Sequence, residues 1–325
     1  MSAFGAAELA PVANVVNEVR GAIARHSADG PLAKTLHKWK PSERLDDHVI
    51  EELESEGAGP KAVAELERLR DLSRELPVPA VAPQFQHDGT PSIPDQRRLV
   101  LEAQTIALNY ANHLPDFLCT EIIRRFDDLK GLMQVKDTLE VRLSYFDQHE
   151  NYRLLNVNGR LSTRPLAEVG GAVSEGEFGS LLASIFIGES KTVLRWDHWT
   201  TIRKRVAHVY SFRILPEHST YRMDFRSDGR SEARSTIAGQ HGFVYIDRET
   251  NQILRIVAEA DVPPDFPVRQ SSTMLDYDFT SVGGRQFLLP LRADVRMATA
   301  HLHTRNLVEF REYRKFTGES TITFQ

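Results

Sequence analysis

Only one cysteine, Cys119, occurs in 325 residues. That scarcity excludes an intrachain disulfide and any zinc site built from several thiolates. No apolar run approaches the ~18–20 residues that a membrane-crossing helix needs. An excess of positive charge is missing as well: 40 Lys and Arg stand against 45 Asp and Glu, a formal charge of −5. The chain as a whole is therefore not drawn to nucleic acid or to an anionic membrane. Catalytic signatures are also lacking, with no G-x-S-x-G, no S-x-x-K, no P-loop and no G-x-G-x-x-G. What is present, 41% hydrophobic and 26% charged residues, is the balance of a globular protein long enough for two domains.

The texture of the sequence divides it. Residues 1–76 read as a small all-α domain, and residues 77–94 hold Pro77, Pro79, Pro83, Pro91 and Pro94, the composition of an extended, semi-rigid linker. Residues 95–325 open with one helical pattern and continue in β-branched and aromatic segments of period two. Residues 1–76 carry ten Lys and Arg against fourteen Asp and Glu, and residues 95–325 carry thirty of each, so neither part reads as a polyanion binder.

In the first part, Leu9, Val12, Val15, Val16, Val19 and Ile23 fall on one helical face. A second helix is expected over residues 31–39. A third is expected after Ser42 as N-cap, with Asp46 and Asp47 in its first turn and Val49, Ile50 and Leu53 buried. Gly57-Ala58-Gly59-Pro60 stops it and starts a fourth, an αα-hairpin. The string LESEGAGPKAVAELERL resembles the helix-hairpin-helix pattern that offers amides to a DNA phosphate. Its flank of Glu51, Glu52, Glu54 and Glu56 would repel that phosphate, so helical packing is the preferred reading and nucleic acid is not expected as a partner.

A helix is predicted from Asp95 to Asn112 through Leu99, Ile106, Ala107 and Tyr110. TLEVRLSYF then alternates, and Asn158-Gly159 joins two strands in a hairpin. Residues 175–187 read as helical. Strands are expected at 191–197, 199–204, 206–215, 219–225, around Arg248–Asn251, and at 273–281, 285–297, 303–316 and 318–325, with Gly283-Gly284 as a turn. Short connections make the sheet antiparallel, and a sheet of about ten strands must curl around something, for which the helix at 95–112 is available. The fold class is thus α+β: a curved antiparallel half-barrel sheet with a helical plug, preceded by a small all-α domain.

Chemical signals are weak. The twelve histidines show no metal spacing, so no metal and no cofactor are expected. Cys119 lies among apolar neighbours in PDFLCTEIIRR and reads as a buried, inert thiol. In WDHW, Asp197 beside His198 could be imagined as a catalytic pair, but a strand-edge turn with buried indoles is the commoner use of such a run. No catalytic residue is assigned and the chain is read as a non-enzyme. Leu139, Val141, Leu143, Tyr145, Tyr210 and Phe212 are the residues expected to face the concave side, either as plain core or as the wall of a cavity for an acyl chain.

Three strings carry a family likeness: ALNYANHLPDFLCTEIIRR, FVYIDRETNQILRI and ERLDDHVIEELESEGAGPKAVAELERLRD. They resemble the outer-membrane lipoprotein carrier superfamily, the LolA/LolB-like fold, and a group of bacterial exported proteins that place a small helical region before it. The resemblance implies a half-barrel that holds lipid, an acyl chain or a lipidated partner, and location in the periplasm or export. The opening MSAFGAAELAPV has no basic n-region and no long apolar h-region, so no signal peptide is visible and a trimmed start is the preferred reading. The expected function is a non-enzymatic envelope binding protein. The alternative is an interaction or scaffold module with a closed core, whose residues 1–76 dock a protein partner.

Overall fold

Val12, Val15, Val16 and Val19 are the buried stripe of α1 (Val12–Ala24) in the computed structural model of the chain. The structure describes residues 8–81, 83, 85, 89–128, 133–169, 178–225 and 234–316. It divides into two compact units, Met1–Thr90 with His198–His208, and Pro91–Asp197 with Val209–Gln325.

The first unit is helical. β1 (Glu8–Ala10) pairs in parallel with β2 (Trp39–Pro41), which places Leu9 on a strand and leaves it exposed instead of on α1. α2 (Asp29–His37), α3 (Asp47–Glu56) and α4 (Pro60–Ser73) complete the unit. Leu36, Leu53, Leu66 and Leu69 are fully buried with the α1 valines in one core.

Side chains distant in sequence satisfy the orphan amides at the helix starts. Glu43 Oε2 accepts from Val12 N of α1 at 3.0 Å, and Asp29 accepts from Lys61 N and Ala62 N of α4 at 2.8 and 2.9 Å. Ser42 is not the cap of α3: Asp46 occupies that position, while Ser42 N donates to Ala10 O beside β2. The turn between α3 and α4 needs Gly57 at φ 121°. At Gly59 the reason is space, because an added Cβ would stand 2.4 Å from Asp29 Cγ. Asp29 thus occupies two of the amides that a helix-hairpin-helix would present to phosphate. Glu51 and Glu52 are not a solvated acidic face either: both are buried, accepting from Thr200 Oγ1 and from Thr201 N at 3.0 Å each. In the Pro-rich stretch, Pro77 O accepts from Arg44 N, and the Phe85 ring lies 5.0 Å from that of His48.

The second unit begins with α5 (Ile93–Leu108) and the single turn α6 (Tyr110–His113). Ser92 caps α5, accepting from Asp95 N. Then come β3 (Phe117–Asp128), β4 (Met133–Phe146), β5 (His149–Val157) and β6 (Arg160–Leu161). α7 (Ser180–Phe186) is shorter than the predicted helix over 175–187. Gly179, at φ 143°, ends it on the N-terminal side, and residues 175–177 lie outside the described residues.

The chain continues with β7 (Val193–Ile202) and β8 (Arg205–Ile214), then β9 (Arg222–Phe225) and β10 (Arg234–Ile237), which pair with each other in a separate two-stranded sheet, then β11 (Gly239–Asp247) and β12 (Ile253–Asp261). It ends with β13 (Val268–Val282), β14 (Arg285–Thr299) and β15 (His303–Lys315). The expected break near residue 198 is absent. WDHW runs inside β7, and the turn falls at Arg203-Lys204, both at positive φ. The strand expected at 318–325 lies outside the described residues.

Among the described residues eleven strands form one open sheet in the order β6-β5-β4-β3-β15-β14-β13-β12-β11-β8-β7. From β6 through to β11 in that order neighbouring strands pair antiparallel, as the short connections require. Bulges interrupt β3–β4 at Arg125/Phe126 and β13–β14 at Asp276/Tyr277, the places where a large sheet gains twist. The two faces differ sharply. On one, Phe117, Cys119, Glu121 and Ile123 lie opposite Tyr145, Leu143, Val141 and Leu139. On the other, Arg255 stands opposite Asp276, Asp276 opposite Arg292, and Arg292 opposite Glu309.

Candidate functional site

Helix α5 turns Leu99, Ala103 and Ala107, spaced four apart, into the apolar face of the sheet. Polar ties fix it there. Tyr210 Oη donates to Gln96 O at 3.3 Å, Asn251 Nδ2 donates to Glu102 Oε2 at 2.7 Å, and Gln104 Nε2 donates to Phe186 O at 2.7 Å. At its C-terminal end Tyr110 of α6 donates its hydroxyl to Leu288 O of β14 at 2.9 Å and meets the Tyr277 ring edge to face at 5.8 Å. Burial pushes the Tyr110 phenol well above its ordinary pKa, so it stays a neutral donor.

These ties leave a gap. A cavity of about 440 Å³ lies between the α5–α6 junction and the ends of β12, β13 and β14, with Ile106, Leu182, Ile253, Phe279, Phe287 and Leu288 in its lining. The Gly283-Gly284 turn, at φ 58° and 81°, folds β14 back on β13 and pairs Phe279 with Leu288 at the cavity wall. On the opposite rim, Asp247 Oδ2 accepts from Thr250 N and Oγ1 and sets the β11–β12 turn. This is the Asp and Thr of the D-R-E-T string, and the turn places Gln252 in the lining with a buried Oε1 that has no hydrogen-bond partner among the described residues.

All six residues expected on the concave side are buried: Leu139, Val141, Leu143 and Tyr145 on β4, Tyr210 and Phe212 on β8. None of them lines the 440 Å³ cavity. Leu139 and Val141 form a cluster with Leu154 of β5, against which Ile123, Tyr152 and Leu166 pack. The Tyr145 ring stacks on Phe117 at 5.2 Å and donates its hydroxyl to Ala111 O at 3.3 Å. Burial pushes the Tyr210 phenol up to about 12. Sequence reasoning missed Phe279, Phe287 and Leu288. Their signal was the apolar run before Pro290 next to a double-glycine turn.

Cys119 is buried on β3, and burial pushes its thiol far above the usual range, which keeps it protonated and unreactive. Asp197 and His198 are neighbours on one strand, so their side chains leave opposite faces and do not form a pair with each other. The His198 ring instead lies 4.4 Å from that of His48. Among the described residues no group of three or more His, Cys, Asp and Glu side chains could hold a metal ion, and no helix is long and apolar enough to cross a membrane.

No family model matches the chain, and no curated protein matches it by sequence. Among solved structures it is similar to a LolA superfamily protein from Nitrosomonas europaea, at 11% identity and a TM-score of 0.33 over 70% of this chain and 97% of that one. A DUF1329 family protein from Desulfovibrio piger gives 9% identity and a TM-score of 0.33 over 71% and 96%. The lipoprotein LppX of Mycobacterium tuberculosis gives 9% identity and a TM-score of 0.24 over 70% and 99%.

Proposed function

We propose that the protein is a non-enzymatic binding protein of the cell envelope that holds a lipid or acyl chain in the cavity beneath α5 and α6. The observation that carries this reading is the cavity itself. At about 440 Å³ it falls within the ~300–1,000 Å³ range of small-ligand sites, and its lining is largely aliphatic and aromatic. Each buried methylene would contribute about 0.8 kcal/mol, so eight of them would supply roughly 6 kcal/mol before the cost of ordering the chain. Gln252 Oε1 would accept a hydrogen bond from a hydroxyl or amide near the head of such a ligand. A longer chain would extend toward the wall of Leu139, Val141, Leu143 and Tyr145, with Tyr210 and Phe212 on the far side of the same face. The location in the envelope rests on the resemblance in residues 107–125 and 243–256.

Mass spectrometry of an organic extract of the purified protein tests the proposal. We expect a bound lipid, and we expect Leu288→Trp, which fills the cavity, to remove it; Val141→Trp would shorten the chain that is accepted. An extract without lipid, together with no uptake of a fluorescent fatty acid, would reject the ligand and leave the scaffold reading.

A further inference from the structure

The far end of the same sheet carries a second recess of different chemistry. Arg125 of β3 pairs with Asp137 and Phe126 with Val135, so Lys136 is the extra residue of a bulge. A bulge re-aims the side chains beside it, and here Lys136 and Asp137 both line one recess. The β5–β6 turn, Asn158-Gly159, has φ of 52° and 75°, and Asn158 Oδ1 accepts from Thr138 N at 2.9 Å, which holds the turn against β4. Beyond β6, Ser162 Oγ accepts from Arg164 N at 3.3 Å, and the Arg164 guanidinium donates to Glu168 O at 2.6 Å. Between these parts lies a space of about 630 Å³ that shares no residue with the apolar cavity.

Its charges are not balanced. Arg125 is held by Asp137 through two hydrogen bonds of 2.6 Å, and Lys136 reaches Asp127 at 3.1 Å. Among the described residues Arg160 has no carboxylate partner, and the Arg164 guanidinium bonds only the neutral Glu168 carbonyl. Two guanidinium forks therefore flank a concave space with a hydroxyl and an amide beside them, in a chain whose total charge is −5. A planar fork matches the oxygens of phosphate in pairs, and two forks match a dianion better than a single carboxylate. Arg125 and Lys136 are each neutralised by an aspartate, so the uncompensated charge of the recess is that of Arg160 and Arg164.

We infer that this recess binds the phosphate group of an organic phosphate through Arg160 and Arg164. The volume of about 630 Å³ leaves room for the organic part of a phosphate ester beside the phosphate. Its source is either a soluble phosphate ester or the headgroup of a phospholipid.

The full chain would be titrated calorimetrically with glycerol 3-phosphate, and sedimented with phosphatidylcholine vesicles with and without phosphatidic acid. We expect binding in one of the two assays, weakened by added salt and reduced about tenfold or more by the double variant Arg160→Gln/Arg164→Gln. Arg142→Gln, an exposed position on β4 outside the recess, should leave it unchanged. Calorimetric binding lost in the double variant assigns a soluble ester, and phosphatidic-acid-dependent sedimentation lost in it assigns a headgroup. Leu288→Trp should leave either signal intact, which separates this site from the lipid cavity. Absence of binding to both probes, or binding that survives the double variant at an unchanged melting temperature, would overturn the inference.

Discussion

Each unit shows a different use of an acid most clearly. In the helical unit, carboxylates finish backbone: Glu43 accepts from Val12 N, Asp29 from Lys61 N and Ala62 N, and Glu52 from Thr201 N. In the sheet unit, carboxylates are shared between guanidinium groups on neighbouring strands. Asp276 takes Arg255 at 2.5 Å and Arg292 at 2.6 Å, and Asp294 takes Arg305 and Arg296. The difference follows from geometry. Helix ends leave amides without partners, whereas a flat ladder satisfies its own backbone and offers side chains a facing neighbour every other residue. An acid in this chain therefore has a consequence that its residue type alone does not give.

The largest effect should come from the sheet. Asp276 is 0% exposed and Arg255 is 4% exposed, so Asp276→Ala strands a buried guanidinium. We expect a loss of about 3–5 kcal/mol in urea unfolding, and partial recovery in the double variant Asp276→Ala/Arg255→Met, which removes the stranded charge. Equal stability of wild type and Asp276→Ala would show that the ladder is ornamental.

The helical counterpart should be smaller. Asp29→Ala removes the cap of α4 and is expected to cost about 1 kcal/mol. Gly59→Ala alone should also destabilise, because its methyl would collide with the Asp29 carboxylate. Both effects pass through the same contact, so the double variant Asp29→Ala/Gly59→Ala should be no less stable than Asp29→Ala. Simple additivity of the two losses would contradict this account.

That asymmetry also sets what was legible in the sequence. Alternation in TLEVRLSYF revealed which β4 residues are buried, and Asn158-Gly159 marked its hairpin, because both signals are local. Ser42 is not the cap of α3, since Asp46 holds that position four residues on, and the acids that finish the starts of α1 and α4 sit tens of positions away, beyond any local signal. Asp29 is 32 residues from Lys61, and Glu43 is 31 from Val12. The candidate site shows the same limit. Periodicity selected a buried face through Leu143 and Tyr145, whereas the cavity depends on where α5 stops at Asn109 and how β14 folds back at Gly283. Neither is written in the period of any strand.

The smallest effect expected is a change of slope with pH, and it also belongs to the sheet. Burial raises the pKa of the Asp294 carboxyl, but hydrogen bonds from Arg305 and Arg296 outweigh it and leave the group below the ordinary aspartate value. Its folded form thus binds a proton less readily than its unfolded form. The stabilisation is complete above the unfolded value of ~3.9 and is lost as pH falls below that toward the lower folded value. Asp294→Asn, which keeps the shape and discards the charge, should therefore be less stable than wild type at neutral pH, with the gap closing under acid. Urea midpoints measured at neutral pH and through the acid range would show it. A gap that stayed constant on acidification would mean that Asp294 contributes through shape alone, as the helix-capping acids do through position.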